Sequence, residues 1–424
     1  MNHIMPKKTN HSLEPYKGTR DFYPEDEFIQ QYIFSAMKRV AERYGYEPYN
    51  ASILEEAALY RAKSGEEIVK EQTYTFKDRG GREVSLRPEM TPTLARMIAK
   101  RRQELAFPLR WYSIPNVFRY ERPQRGRTRE HWQLNADVFG ISGVGAELEL
   151  VRMANDIMRE FGAEAKDFEI RVNSRSAAGW FLYDIESAGK NASLRRLIDK
   201  KNKMPFPEFK KELAKLAGRK EAETVLKRLA AKKPQNPELL KFIEELKACG
   251  IANVRYDASL VRGFDYYTGI VFEVFDTRKE NPRSLFGGGR YDELLKIFGV
   301  PPVPAAGFGM GDVTMCDYLE THKLLPEYAP RTRAYLCEVG SVRAYAEGIA
   351  EYLRDRGISV AHDLTGRKIG LQLKTASRQS VPFAVIVGEK EMKSKKLMLK
   401  DLKTHKEWRL GKAEAAKKIF ASEL

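Results

Sequence analysis

The chain is expected to fold as an α+β protein: a mostly antiparallel sheet flanked by helices, with a helical insertion and a C-terminal α/β unit. Three observations carry this expectation. Strand-like runs follow one another with short, turn-rich connections and few strand–helix–strand units, which favours antiparallel pairing. Residues 175–250 are rich in Lys, Ala and Leu and carry no strand signal. From about residue 331 strands and helices alternate, the pattern of a largely parallel sheet.

In chain order, MNHIMPKKTNHSLE (residues 1–14) has no apolar run and reads as a flexible tail, not a signal peptide. Ile29, Tyr32, Ile33, Ala36 and Val40 fall on one face of a helix over 25–44, with Pro24 near its start and Gly45 past its end. TYTFKD, DRGG and REVSLRP read as a hairpin. In RPEMTPTLARM, Thr91 suits an N-cap and Pro92 the first helical position. RWYSIPNVFRY, WQLNADVFG, FEIRVNS, GIVFEVF and AAGFGMG are further strand-like runs. In the insertion, PEFKKELAKLAGRKEAETVLKRLAAKK and PELLKFIEELKACG read as amphipathic helices. LLPEYAPRTR reads as a linker between a first domain at 15–325 and a second at 331–424.

The formal charge is +16 and the pI about 9.5, which points towards a polyanionic partner. Residues 331–424 alone hold 20 basic and 11 acidic side chains. The three cysteines, Cys249, Cys316 and Cys337, are widely spaced and the six histidines scattered, so no zinc or disulfide framework is expected. Unpaired thiols fit a cytoplasmic location. No apolar stretch reaches the roughly 20 residues that span a membrane.

FRYERPQRGRTREHWQ, residues 118–133, carries five arginines, three aromatics and two glutamates. Its ends read as antiparallel strands joined by a polar loop. Period two puts Arg119 and Glu121 on one face of the first strand, and Gln133, Asn135 and Asp137 on one face of the second. Such a sheet face is either a site or a solvated surface. RPEMT is either a hairpin end with a helix cap, or a pair of acceptors, Glu89 and Thr91, placed for an ammonium group. Arg262, Asp265, Tyr266 and Tyr267 enter a strand that becomes wholly apolar, and a buried Arg262 needs an anionic partner. LFGGGRYDELL is either a turn into a helix or a close approach of backbone to ligand. No GxSxG, Cys/His pair or P-loop occurs. Arginines and carboxylates on a sheet floor fit phosphoryl or nucleotidyl transfer without a protein nucleophile.

From about residue 15 to the C-terminus the chain resembles the class II aminoacyl-tRNA synthetases, most closely the histidyl-tRNA synthetase family. FRYERPQRGRTREHWQLNADVFG resembles motif 2. RGFDYYTG and GGGRYDELL resemble the two histidine-specific signatures, LRPEMTPTLARM the segment that holds the substrate amino group, and residues 331–424 the anticodon-binding domain. The resemblance implies ATP-dependent activation of L-histidine to histidyl-adenylate, with Mg2+, and transfer to the 3′ end of tRNA(His) by a cytoplasmic homodimer. It implies that Arg119 and Arg262 are catalytic, stabilising the α-phosphate. Glu89, Met90, Thr91, Arg119, Gln133, Asp137, Arg262, Tyr266, Tyr267 and Tyr291 would hold histidine. Glu121 and Arg127, with Arg119, would contact ATP, and Gln124 and Arg125 the tRNA acceptor end. No protein-only metal site is implied.

Three positions depart from the family pattern. Thr314, in GFGMGDVTM, stands where motif 3 usually carries an arginine for the outer phosphates of ATP. The expected substitute is Arg125, Arg127 or Arg290. Ser52 stands at the usual motif 1 proline, and Asp137 where the imidazole-reading residue is usually a glutamate. A regulatory paralogue, a synthetase for another amino acid and a pure RNA-binding protein are the rival readings. The basic C-terminal unit weighs against the first, and RGFDYYTG with GGGRYD against the second. A full set of pocket residues weighs against the third.

Overall fold

The computed structural model describes residues 12–61, 72–174, 193–194, 197–198, 201, 204–260 and 266–421. Two compact units result: residues up to Asp21 with Ile29–Leu325, and Phe22–Phe28 with Pro326–Leu424.

The first unit is built on strands β1 (Glu47–Pro48), β2 (Leu54–Glu56), β3 (Thr75–Lys77), β4 (Glu83–Leu86), β5 (Leu109–Ser113), β6 (Asn116–Phe118), β7 (Glu130–Phe139), β8 (Phe168–Ser174), β9 (Val254–Tyr256), β10 (Ile270–Asp276), β11 (Ser284–Arg290) and β12 (Ala305–Gly311). Its helices are α1 (Pro24–Arg43, which belongs to this unit from Ile29 on), α2 (Ala57–Arg61), α3 (Thr91–Arg101), α4 (Gly145–Glu160), α5 (Phe206–Ala217), α6 (Arg219–Leu229), α7 (Pro237–Ala248) and α8 (Asp312–His322). Among the described residues the main sheet runs β1-β5-β7-β12-β11-β10-β8-β9, with β6 also on β7. Pairing is antiparallel except for β1 with β5 and β8 with β9. β2, β3 and β4 form a separate small sheet that contains the expected hairpin.

Period-two alternation divides the two sides of the main sheet. Leu134, Ala136 and Val138 of β7, Ala306, Phe308 and Met310 of β12, and Ile270, Phe272 and Val274 of β10 enter one core. There they meet Ile33, Met37 and Val40 of α1 and Leu150, Ala154 and Ile157 of α4. The intervening residues of β7 and β12 face the opposite side, where Leu94, Ala95 and Ile98 of α3 pack with Val271 and three tyrosines. One strand, β7, thus supplies apolar residues to the core and polar ones to the other face.

The segment expected as one insertion splits. Phe209 and Leu213 of α5 pack with Ala222, Val225 and Leu229 of α6 in a small core of their own. Leu239, Phe242, Ile243 and Leu246 of α7 instead enter the main core. Asn236 caps α7, its side chain accepting the backbone N–H groups of Glu238 and Leu239. Helical periodicity is the same for both and does not distinguish which core each joins.

The glycine run also differs from expectation. LFGGGR is a strand, β11, followed by a 3-10 turn at Leu294–Phe298. Glycine is usually depleted in strands, yet here a Cβ on Gly288 would lie 2.1 Å from the Gly307 carbonyl oxygen. Close strand packing demands the missing side chain.

The second unit has strands β13 (Ala334–Val339), β14 (Val360–His362), β15 (Phe383–Gly388), β16 (Leu397–Asp401) and β17 (Glu407–Leu410), in the order β14-β13-β15-β16-β17. Its helices are α9 (Arg343–Arg354), α10 (Ile369–Arg378), α11 (Glu389–Ser394) and α12 (Lys412–Phe420). β14, β13 and β15 are parallel, as the alternation predicts, whereas β16 and β17 add an antiparallel edge. Ile349 and Leu353 of α9 and Ala415 and Ile419 of α12 cover one side, with Leu336, Val385 and Leu399 beneath them. Ala376 of α10 covers the other, over Tyr335 and the buried Cys337.

Candidate active site

The polar side of the main sheet holds a small cavity of about 100 Å3. Its lining includes Glu89, Thr91, Arg119, Gln133, Asn135 and Asp137, and also Tyr266, Tyr267, Tyr291 and three glycines. Gln133, Asn135 and Asp137 stand at alternate positions of β7, opposite Gly311, Gly309 and Gly307 of β12. A Cβ on Gly307 would lie 2.1 Å from Asp137 Oδ1, and one on Gly309 2.3 Å from Gln133 Nε2. The glycines therefore leave room for the polar side chains of the neighbouring strand to lie across them.

Asp137 is 2% exposed. Its Oδ1 accepts the Tyr291 hydroxyl, while Oδ2 has no hydrogen-bond partner among the described residues. Burial pushes the carboxyl up to about 7, against the lowering effect of the Tyr291 bond. Tyr266 donates to Glu89 Oε2 at 3.0 Å, and its ring centroid lies 5.0 Å from that of Tyr267 and 5.7 Å from that of Tyr291. A wall of three tyrosines thus joins a buried carboxylate at one end, Glu89, to another, Asp137. Thr91 is the first residue of α3 and Met90 its N-cap, one position earlier than expected, with no side-chain capping bond. Thr91 lines the cavity beside Tyr266. Met90 is wholly buried and is not among the residues lining the cavity.

β6 ends at Phe118, so Arg119 and Glu121 lie just beyond it and not on a common strand face. Arg119 Nε donates to the Pro88 carbonyl at 2.9 Å, which leaves its terminal nitrogens without a hydrogen-bond partner among the described residues. Glu121 pairs with Arg127 at 2.9 Å, and Gln124 and Arg127 bridge across the hairpin tip. Arg125 reaches α8, 3.5 Å from Glu320 and 3.2 Å from the Thr321 hydroxyl. Glu121, Gln124, Arg125 and Arg127 lie outside the cavity lining. Arg262 and Asp265 lie outside the described residues. Sequence reading did not single out His131, which shares the Gln133 face of β7. Burial, Arg119 and Arg20 hold its imidazole down at about 3, so it is neutral at physiological pH. Its position two residues from Gln133 was the available signal.

Arg290 cannot serve as the substitute cation. Its guanidinium is 8% exposed and binds Glu147, Asp292 and the carbonyls of Ile141 and Gly143. It is a buried structural pair. Arg290→Gln leaves Glu147 uncompensated and is expected to lower unfolding free energy by about 3 kcal/mol, read as a fall in the urea midpoint. An unchanged midpoint would show the pair to be neutral.

An antiparallel sheet whose polar face carries an arginine-led hairpin beside a glycine strand that runs into a helix defines a class II aminoacyl-tRNA synthetase. Residues 18–312 match the histidyl-tRNA synthetase family and residues 334–421 the anticodon-binding domain. A histidine–tRNA ligase of Leptospira biflexa is 41% identical, over 97% of this chain and 98% of that protein. One of Thermoplasma volcanium is 38% identical, over 92% and 95%. The crystal structure of histidyl-tRNA synthetase from Nostoc sp. PCC 7120 matches in fold, with a TM-score of 0.82 at 22% identity, covering 97% of this chain and 100% of that one. The chain belongs to the histidyl-tRNA synthetase family.

Proposed function

We propose that this chain is a histidine–tRNA ligase that uses the cavity above β7 and β12 for histidine. The histidine carboxylate attacks the α-phosphorus of ATP, and pyrophosphate leaves. The 3′-terminal ribose hydroxyl of tRNA(His) then attacks the carbonyl of the mixed anhydride, and AMP leaves. The observation that carries the reading is Asp137: a buried carboxylate with one oxygen held by Tyr291 and the other without a partner among the described residues. Such a group favours a ligand that brings an N–H donor, because an unsatisfied buried acceptor is costly. An imidazole supplies one.

In this reading Glu89, Thr91 and Gln133 receive the ammonium group. Tyr266, Tyr267 and Tyr291 enclose the ring. Arg119, and Arg262 by its place in the family motif, stabilise charge developing on the α-phosphate. Glu121 and Arg127 meet ATP, and Gln124 and Arg125 the acceptor end, which requires Arg125 to release α8. Mg2+ would arrive on the phosphates of ATP, held chiefly by them. Among the described residues no cluster of three acidic, cysteine or histidine side chains offers a protein cage. The second unit would read the anticodon. We carry homodimerisation, which sedimentation would read, and a cytoplasmic setting as part of the proposal; no described helix is long and apolar enough to cross a membrane.

Histidine-dependent ATP–pyrophosphate exchange, screened over all twenty amino acids, tests the reading. Exchange with histidine alone is expected. Folded protein that binds histidine but exchanges with nothing would favour a regulatory role, the alternative to which Thr314 points.

A further inference from the structure

We propose that Arg20 binds the outer phosphates of ATP, supplying the cation that position 314 lacks. The proposal rests on the activation reaction above. Thr314 cannot act there: its hydroxyl turns inward, donating to the Leu285 carbonyl at 2.7 Å. Of the three expected substitutes, Arg290 is buried against Glu147 and Asp292, Arg125 is turned to α8, and Arg127 sits at the hairpin tip on Glu121.

Arg20 arrives from the N-terminal segment. Its Nη2 donates to Asp312 Oδ2 at 2.7 Å. Asp312 is the first residue of α8, two before Thr314, and is buried. It is itself pinned, since Oδ1 accepts the Trp132 backbone N–H at 3.0 Å and Oδ2 lies 3.4 Å from Gln30 Nε2. Gly18, with φ +86°, presses against the Arg129 stem, and its carbonyl accepts the Arg129 N–H at 2.6 Å. Residues 18–20 are thereby fixed to both the motif 2 hairpin and the start of α8.

This fixed point lies where the glycine floor leaves the histidine cavity. Gly311 is the outermost residue of β12, paired with Gln133. The vacant Cβ position of Gly311 is 3.6 Å from Thr314 Oγ1 and 3.9 Å from His131 Cδ2, so both side chains converge on that end of the floor. The charges of Arg119 and Arg20 both bear on His131. A ligand whose amino-acid end sits at Asp137 and whose α-phosphate meets Arg119 extends along this floor towards His131 and Arg20. The Arg20 side chain is 30% exposed, so a phosphate can reach it, while Asp312 holds the guanidinium in orientation.

The test compares the full-length chain with Arg20→Gln, Arg20→Gln/Thr314→Arg and Arg20→Lys. ATP Kd is read by calorimetry, and KM for ATP and for histidine by pyrophosphate exchange. Arg20→Gln is expected to weaken ATP by about tenfold or more, the usual scale for a lost charge-assisted phosphate contact, with histidine KM within about twofold of the unaltered chain. Arg20→Lys should recover part of the loss, as should restoring an arginine at 314. An unchanged ATP Kd in Arg20→Gln, or a parallel rise in both KM values, overturns the assignment and leaves Arg20 a brace on Asp312. Absence of exchange by the unaltered chain overturns the activation reading alone; ATP Kd still judges Arg20.

Discussion

Asp137→Asn is expected to raise the histidine KM in pyrophosphate exchange by about 100-fold or more, while making the empty enzyme more stable above neutral pH. The first effect follows from donor and acceptor count. Oδ1 of Asp137 holds the Tyr291 hydroxyl, and Oδ2 is the acceptor left for an imidazole N–H. Asparagine can keep the tyrosine bond through its carbonyl oxygen, but its amide then sets a donor against a donor. Losing a buried charged hydrogen bond and leaving its partner unmet accounts for a change of that size. The second effect follows from the carboxyl's upward shift, to about 7 from an ordinary 3.8. Between these values the folded state keeps a proton that the unfolded state has released. Stability of the empty enzyme therefore falls as pH rises through that window and levels off above it, by about 4 kcal/mol at most. Histidine donating to Oδ2 favours the carboxylate and flattens the slope. Urea midpoints at pH 5 and pH 8, with and without histidine, read all of this. An asparagine variant with the same pH slope as the unaltered chain would show that Asp137 is not the titrating group.

What the sequence made legible was periodic. The polar face of HWQLNADVFG and its apolar counterpart are written in alternate residues, and β7 places them on opposite sides of one sheet. The parallel order of β13, β14 and β15 was equally plain, because buried parallel strands such as FAVIVG are continuous apolar runs. Strands β16 and β17 escaped notice. Leu397 and Leu399 alternate with Met398 and Lys400 in a lysine-rich stretch, and two inward residues make too short a pattern to stand out. Arg290 was misread because a sequence shows a positive charge but not its partner. Glu147, 143 residues away, fixes it as structure. The Arg20–Asp312 pair, which joins two ends of the first unit, was invisible for the same reason. The histidine pocket residues came from the resemblance to the family's motifs, whereas the unpartnered oxygen of Asp137 is a property of packing alone.

Arg119→Ala is expected to lower kcat/KM for adenylate formation by about 1000-fold, with little change in histidine binding at equilibrium. The argument is one of preorganisation. Nε is tied to the Pro88 carbonyl at 2.9 Å, so the guanidinium plane is set before substrate arrives. Its terminal nitrogens have no partner to exchange among the described residues, and the site does not have to reorganise as charge grows on the α-phosphate oxygens. Removing such a donor lowers the transition state's stabilisation more than the ground state's, which places the loss in kcat. Arg119→Lys should recover little of it, because an ammonium cannot hold the Pro88 bond and also present a planar pair of donors. A second readout separates this from general damage to the hairpin. Arg119 is one of the two cations that hold the His131 imidazole down, after burial itself. In Arg119→Ala the His131 imidazole should therefore titrate at higher pH by NMR, while the urea midpoint stays near that of the unaltered chain. Exchange within about tenfold of normal, from a variant in which the His131 shift is seen, would place the α-phosphate elsewhere on the floor and leave Arg119 as a neighbour of the reaction.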